Sequence, residues 1–237
     1  MKKDSNYKRY AEWKGWGTDV VDSNFLARIE AGFLKLMQQA GVSSEASLLE
    51  IGFGNCYFLD WARKRGNTII GIEIIQALVD EAINKGHTAM HGTLEEHGSK
   101  LDKNFDAIVA LDVFEHMDLT QLQTSLTIAS SCLKPGGSII IRVPNGGSPF
   151  GLMLQNGDST HMTTFTESKM RQICLDSDFE LEWAGNPPRV FSGAKSVLKR
   201  CLAYGLRDIF EYVFGMAYFG MRKPMDPSIV FILRHKA

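Results

Sequence analysis

Short apolar runs that end in glycine or an acid, separated by stretches of helical periodicity, constrain this chain more than any other feature. Ser47–Ile51 and Thr68–Glu73 are too short for helices and too continuously apolar for strands with one wet face. They have the pattern of strands covered on both sides, as in a parallel sheet. Phe105–Leu111 and residues 138–143 repeat it, and a shorter strand is expected over 87–91. Between these runs the period changes. Helices are predicted over about 55–65, along the face of Ile75, Leu78, Val79, Ala82 and Ile83, and over 120–133 up to the stop at Lys134-Pro135-Gly136-Gly137. Upstream, Phe25, Leu26, Ile29, Phe33, Leu34 and Met37 recur at helical spacing. Strand alternating with helix in this way predicts a doubly wound α/β sheet with helices on both faces.

The second half is less regular. Residues 144–165 read as a long polar loop, 167–176 as a helix, 179–184 as a strand, 195–219 as a long helix and 228–233 as a final strand. The expected organisation is an N-terminal helical segment or lid over 1–42, then one ligand-binding domain over 43–237 with a helical insertion at about 194–222. Tyr10, Trp13 and Trp16 lie in a polar stretch without core periodicity. They are expected to close over a cleft, where rings exclude water.

Composition narrows the function classes. The chain has 237 residues with 26 Lys and Arg against 27 Asp and Glu, so no basic excess points to nucleic acid. The four cysteines form no C-x-x-C pair, and free thiols are expected in a reducing, cytoplasmic setting. The longest strongly apolar uncharged stretch, 212–221, is short of the ~18–20 residues a membrane span needs.

The chemistry concentrates at strand ends. The first strand runs into Gly52-Phe53-Gly54, where missing Cβ atoms let a ligand approach the backbone. Glu73 ends the next strand, 19 positions after Gly54, where an acid can accept both hydroxyls of a ribose. Together they indicate a nucleoside cofactor. A dinucleotide fingerprint would need glycine where Tyr57 stands, and Glu50 fits poorly beside a diphosphate. Glu50 suits a cofactor that carries a positive amine.

On these residues the chain resembles the class I S-adenosylmethionine-dependent methyltransferases, whose first motif is an acid followed by x-Gly-x-Gly-x-Gly. Glu50, Gly52 and Gly54 match, and Cys56 stands at the third glycine. Glu73 corresponds to the ribose acid and Ile74 to the apolar residue beside the adenine. Gly92-Thr93-Leu94 stands where the family has Gly-Asp-Ala, so Thr93 replaces the acid expected at the adenine amine. Phe105 to His116 resembles the fourth motif with its Glu-His ending, and Leu133-Lys134-Pro135-Gly136-Gly137 the turn before strand five. The resemblance implies S-adenosyl-L-methionine as cofactor, S-adenosyl-L-homocysteine as product, and a seven-stranded sheet of order 3-2-1-4-5-7-6 with the last strand antiparallel. Asn55, Leu94, Leu111 and Asp112 join the implied cofactor set. Val143-Pro144-Asn145, Asp158-Ser159-Thr160-His161 and Phe165 to Lys169 resemble the small-molecule type 23 and type 11/12 subfamilies. That implies a small acceptor, most of all O-methylation of a sugar or related metabolite in polysaccharide biosynthesis. An N- or C-methyltransferase and a non-catalytic cofactor-binding partner protein are the alternatives.

His161 follows strand five and is the expected general base. His116, in the Glu-His pair, is a second catalytic candidate. No metal is expected, because Asp112 has only Asn145 as companion and magnesium prefers carboxylates. Leu198, Leu202, Leu206, Ile209, Val213 and Met216 form an apolar stripe in the long helix. The first expectation is that this stripe packs on the domain or on a second copy in a homodimer; peripheral membrane contact is the other reading.

Overall fold

A computed structural model describes residues 10–16, 22–101, 104–191 and 194–236. A short helix, α1 (Tyr10–Lys14), precedes α2 (Ser23–Gln39). Then follow β1 (Ser47–Ile51), α3 (Tyr57–Lys64), β2 (Thr68–Glu73), α4 (Gln76–Asn84), β3 (Thr88–His91), α5 (Leu94–His97), β4 (Phe105–Leu111), α6 (Leu119–Cys132) and β5 (Leu133–Pro144). The rest comprises α7 (Gly151–Asn156), α8 (Glu167–Leu175), β6 (Phe179–Gly185), α9 (Ala194–Phe219) and β7 (Ser228–His235).

The seven strands form one sheet of order β3-β2-β1-β4-β5-β7-β6. The first five are parallel, and β7 runs antiparallel to both β5 and β6. The doubly wound order is therefore as expected. β1 and β4 sit centrally with almost every side chain buried, which is why their sequences do not alternate. One face is covered by a core that includes Phe114, Leu122, Leu126, Phe165 and Phe231. The other is covered by α2, α3 and α4 around Phe33, Phe58, Trp61 and Leu78. The Phe33 ring meets Phe58 edge-on at 5.1 Å, so α2 packs into the same core as β1.

The predicted elements shift by small amounts at their ends. α6 starts at Leu119 because Asp118 and Gln121 form a reciprocal capping box. The loop expected over 144–165 contains α7. The larger correction concerns α9. Its apolar stripe does not pack on the domain: Leu198, Leu202, Leu206, Ile209, Val213 and Met216 all face outward. Its inward face carries the polar residues Tyr204, Asp208 and Glu211, with Gly215. The buried Glu211 carboxylate accepts from Asn186, from Arg222 at 2.9 Å and from the Met225 backbone at 3.1 Å. Asp208 pairs with Arg189 at 2.6 Å and with Arg222. Ion pairs on its inward face tether this helix, with ring contacts from Phe150 and Phe191 at its sides. Periodicity finds an apolar face but not the direction it points.

Candidate active site

The carboxyl ends of β1, β2, β4 and β5 converge on one edge of the sheet, where open α/β sheets bind ligands. Gly52, at the end of β1, has φ +70°, and a Cβ there would stand 2.5 Å from Val113 Cγ2. Only glycine fits that position without displacement. Gly54 also has positive φ, and its N–H donates to Glu73 Oε2 at 3.2 Å. Cys56 holds φ +65° at the N-terminus of α3, which explains why related motifs place glycine there. The requirement is a left-handed backbone as well as small size.

Two carboxylates face this turn. Glu50 is buried, and its Oε2 has no hydrogen-bond partner in the protein. Burial, then the nearby charge of Glu73, holds its pKa well above the ordinary carboxylate value. A cationic amine would satisfy the orphan oxygen and favour the ionised form. Glu73 is buried too, and its Oε1 accepts from the Ile75 N–H at 3.1 Å. Burial raises its pKa, against hydrogen bonds from the Gly54 and Ile75 backbones. The neighbouring Ile74 is exposed, a free apolar surface beside the acid. Asn55 lies in the turn with its amide near the Tyr57 hydroxyl at 3.4 Å. An orphaned buried carboxylate, a glycine cradle and an acid at the second strand end suit S-adenosyl-L-methionine.

The remaining cofactor candidates divide. The Thr93 N–H donates to Glu96 at 2.8 Å as part of the cap of α5, and Leu94 is buried in the core. Both hold the loop. Leu111 is partly buried at the end of β4. Asp112 adopts φ +60° and forms an ion pair with Arg142, including a contact of 3.1 Å from Nε. Arg142 escaped the sequence reading, although one arginine inside the apolar run of β5 was its signal.

A second cluster lies beside the first. It gathers Glu115 and His116 from the turn after β4, Asp158 and His161 from the loop after α7, and Tyr10 and Lys14 from α1. The His116 and His161 rings meet edge-on at 4.7 Å. Thr160 Oγ1 donates to Asp158 at 2.5 Å and so accepts from His116 Nδ1 at 2.9 Å. The Tyr10 hydroxyl donates to Asp158 Oδ2 at 3.0 Å and stands 3.3 Å from His116 Nε2. Burial, then the neighbouring His161, lowers the His116 pKa to about 4, so this ring is neutral at pH 7. His161 Nδ1 lies 3.1 Å from the Gln155 carbonyl. A carbonyl only accepts, so Nδ1 carries a hydrogen. Nε2 lies 3.7 Å from an Asp158 oxygen and 3.9 Å from a Glu115 oxygen.

Glu115 is fully enclosed, and burial followed by the charge of Asp112 raises its pKa to about 8. Burial also pushes Asp158 upward, but hydrogen bonds from Thr160 and Tyr10 outweigh it and hold this acid below the ordinary range. Lys14 adds an ammonium 3.3 Å from Asp158. Lys14 was not singled out by the sequence, and neither was the pairing of Tyr10 with Asp158. Tyr10 is buried and Trp16 stands over Gly54, where a Cβ would lie 3.5 Å from its ring. Two of the three N-terminal aromatics therefore cover the cleft, while Trp13 is exposed.

The sheet order matches what the sequence motifs implied, and Gly52, Gly54, Glu50 and Glu73 lie together at its edge. A family model described as a methyltransferase domain, type 23, matches residues 25–183. The chain belongs to this methyltransferase family. As a type 23 methyltransferase it uses S-adenosyl-L-methionine. No curated protein matches the chain. Among solved structures it is similar to an S-adenosylmethionine-dependent methyltransferase from Archaeoglobus fulgidus, with TM-score 0.63 and 17% identity over 88% of this chain and 94% of that one. It is also similar to a Thermotoga maritima methyltransferase described as a possible histamine N-methyltransferase, with TM-score 0.61 and 17% identity over 98% of both chains. The [4+2]-cyclase SpnF shares the fold as well, with TM-score 0.60 and 15% identity over 94% of this chain and 86% of that one. These likenesses establish the fold; the acceptor must be argued from the site.

Proposed function

We propose that this methyltransferase methylates a hydroxyl oxygen of a small acceptor, a sugar or related metabolite, in the cytoplasm. The observation that supports the reading is His161, whose ring is held at Nδ1 by the Gln155 carbonyl while its Nε2 makes no hydrogen bond among the described residues and lies between Asp158 and Glu115. Glu50 would hold the amine of the cofactor and Glu73 its ribose, with Gly52 and Gly54 admitting it to the backbone. When bound, the cofactor supplies an activated methyl on a sulfonium. The protein's task is then mainly positioning.

For a hydroxyl acceptor, His161 takes the proton at Nε2 while the Gln155 carbonyl holds the ring by its Nδ1–H. The imidazolium that results lies between Asp158 and Glu115, and ionised Asp158 stabilises it. His116, neutral, donates from Nδ1 to Thr160 and so helps to orient Thr160 beside that acid. Tyr10 and Trp16 exclude water from the closed cleft. The test is a labelled-methyl transfer screen over sugar nucleotides, glycolipids and phenols. Transfer only to amines or carbon acids, or to nothing while the cofactor binds, would overturn the acceptor assignment.

A metal-assisted reading has one observation in its favour. Ligand atoms of Glu115, His116 and His161 all lie within 4.8 Å of one another, a mixed set that suits a transition ion better than magnesium. The cluster's own charges favour the proton network instead. Lys14 already offsets Asp158, and Glu115 retains its proton at neutral pH. Turnover unchanged by a chelator supports the network; turnover abolished by it and restored by zinc or manganese supports the ion.

A further inference from the structure

Helix α9 is amphipathic in the inverted sense. Its polar residues point at the protein and its apolar residues point away. At about 100° per residue, Leu202, Leu206, Ile209 and Val213 lie opposite Tyr204, Asp208 and Glu211. Leu202, Leu206 and Ile209 are each more than 60% exposed. The surface continues onto α7. Phe150, which precedes α7, meets Phe210 at 5.8 Å, and Phe210 stacks on Phe214 at 4.2 Å. Leu152, Met153 and Leu154 extend it, with Met153 80% exposed. Residues 143–157 contain no charged side chain, and 209–221 contain only the buried Glu211. With about 150–250 Å² available per aromatic ring, the patch is on the order of 1,000 Å². A monomer's largest patch is typically about 300–600 Å².

We propose that α7 and α9 seat this methyltransferase on an anionic lipid surface. Charge complementarity selects that occupant. Segment 194–227 holds six Lys or Arg against three Asp or Glu, although the whole chain carries −1. The three acids, Asp208, Glu211 and Asp226, are engaged by Arg189, Arg222 and Arg207, and Lys223 pairs with Glu167, so the segment keeps a net positive charge. Lys199 is exposed, at a helical position on the outward side between Leu198 and Leu202. A second copy docked isologously would set this positive segment against itself. It would also cover only a seam of the helix, whereas the exposed apolar arc runs from Tyr212 through Val213 to Phe210 and Phe214, more than half the circumference. A bilayer interface covers such an arc and attracts the cations.

The acceptor side borders this platform, because the Asp158–His161 turn leaves directly from α7. If the methyl-transfer reading holds, on which this extension alone rests, the acceptor class is an amphiphile whose polar head reaches the cleft from the membrane plane.

The test is flotation of the full chain with phosphatidylcholine vesicles and with vesicles containing 30% phosphatidylglycerol. The expected result is association with the anionic vesicles, reduced tenfold or more by Leu206→Gln with Ile209→Gln. Lys199→Glu should reduce it about fivefold or more. Homocysteine-nucleoside affinity and thermal melting of each variant, measured in parallel, should match wild type, which separates failed docking from failed folding or a failed cofactor reading. Absence of association with both vesicle types overturns the proposal. So does equal association of the double variant. A concentration-dependent dimer in sedimentation, abolished by the double variant in a chain that ignores vesicles, would assign the patch to a second copy.

Discussion

Replacing Gly52 by alanine tests whether the first motif is a geometric requirement. Two separable costs follow from the structure. A Cβ at φ +70° sits in the left-handed region, which costs about 1–2 kcal/mol for an L-residue. The same Cβ would come within 2.5 Å of Val113 Cγ2, and overpacking of that kind costs about 1–3 kcal/mol. The total expected loss is about 2–5 kcal/mol in urea unfolding. Binding of S-adenosyl-L-homocysteine should fall as well, since the turn lies beside Glu50. Val113 supplies the control. Val113→Ala removes the colliding methyl and should by itself cost about 1–2 kcal/mol, because the residue is only partly buried. In a double-mutant cycle the pair should then recover the overpacking share and leave the backbone share. Additive effects would refute the clash. A Gly52→Ala protein within 0.5 kcal/mol of wild type, with unchanged affinity, would refute the whole account of the cradle.

Three further outcomes are expected. Glu73→Ala should weaken S-adenosyl-L-homocysteine binding by about 1–3 kcal/mol in calorimetry, through loss of charge-assisted hydrogen bonds; equal affinity would remove Glu73 from the cofactor site. His161→Ala should leave that affinity nearly unchanged and cut single-turnover rate by roughly 10²-fold, and wild-type turnover would make the histidine structural. Glu115 has a folded pKa near 8, above the ordinary 4.5, so the folded state retains a proton that the unfolded state loses; wild-type stability should fall as pH rises from about 4.5 to 8. Glu115→Gln should match wild type near pH 4 and exceed it by up to a few kcal/mol at pH 8 in denaturant titrations, and parallel pH profiles would show that the carboxyl is ionised in the folded protein.

The sheet was legible because burial on both faces writes itself into β1, β2 and β4 as continuous apolar runs. The cofactor turn was legible because Gly52, Gly54 and Glu73 act through sequence-local geometry at strand ends. In the second cluster the motifs picked out the Glu115-His116 pair and the Asp158-to-His161 turn, but not how they meet. Asp158 and Tyr10 are joined by a hydrogen bond across 148 positions of sequence, and no periodicity encodes such a pairing. Thr93 has a structural role that the motif did not signal: it caps the helix that starts at Leu94. α9 shows a limit of amphipathicity itself. The stripe of Leu198 to Met216 is periodic whether it faces a core or the outside. The distinguishing signal was the opposite face, where Asp208 and Glu211 have Arg189 and Arg222 as partners outside the helix.

The short segment from Tyr10 to Trp16 touches both clusters. Trp16 stands over Gly54, while the Tyr10 hydroxyl and the Lys14 ammonium engage Asp158. One N-terminal helix thus bears at once on the glycine turn after β1 and on the carboxylate beside His161, two places far apart in sequence. A substitution in it should therefore disturb both clusters, whereas a substitution in either cluster alone need not disturb the other.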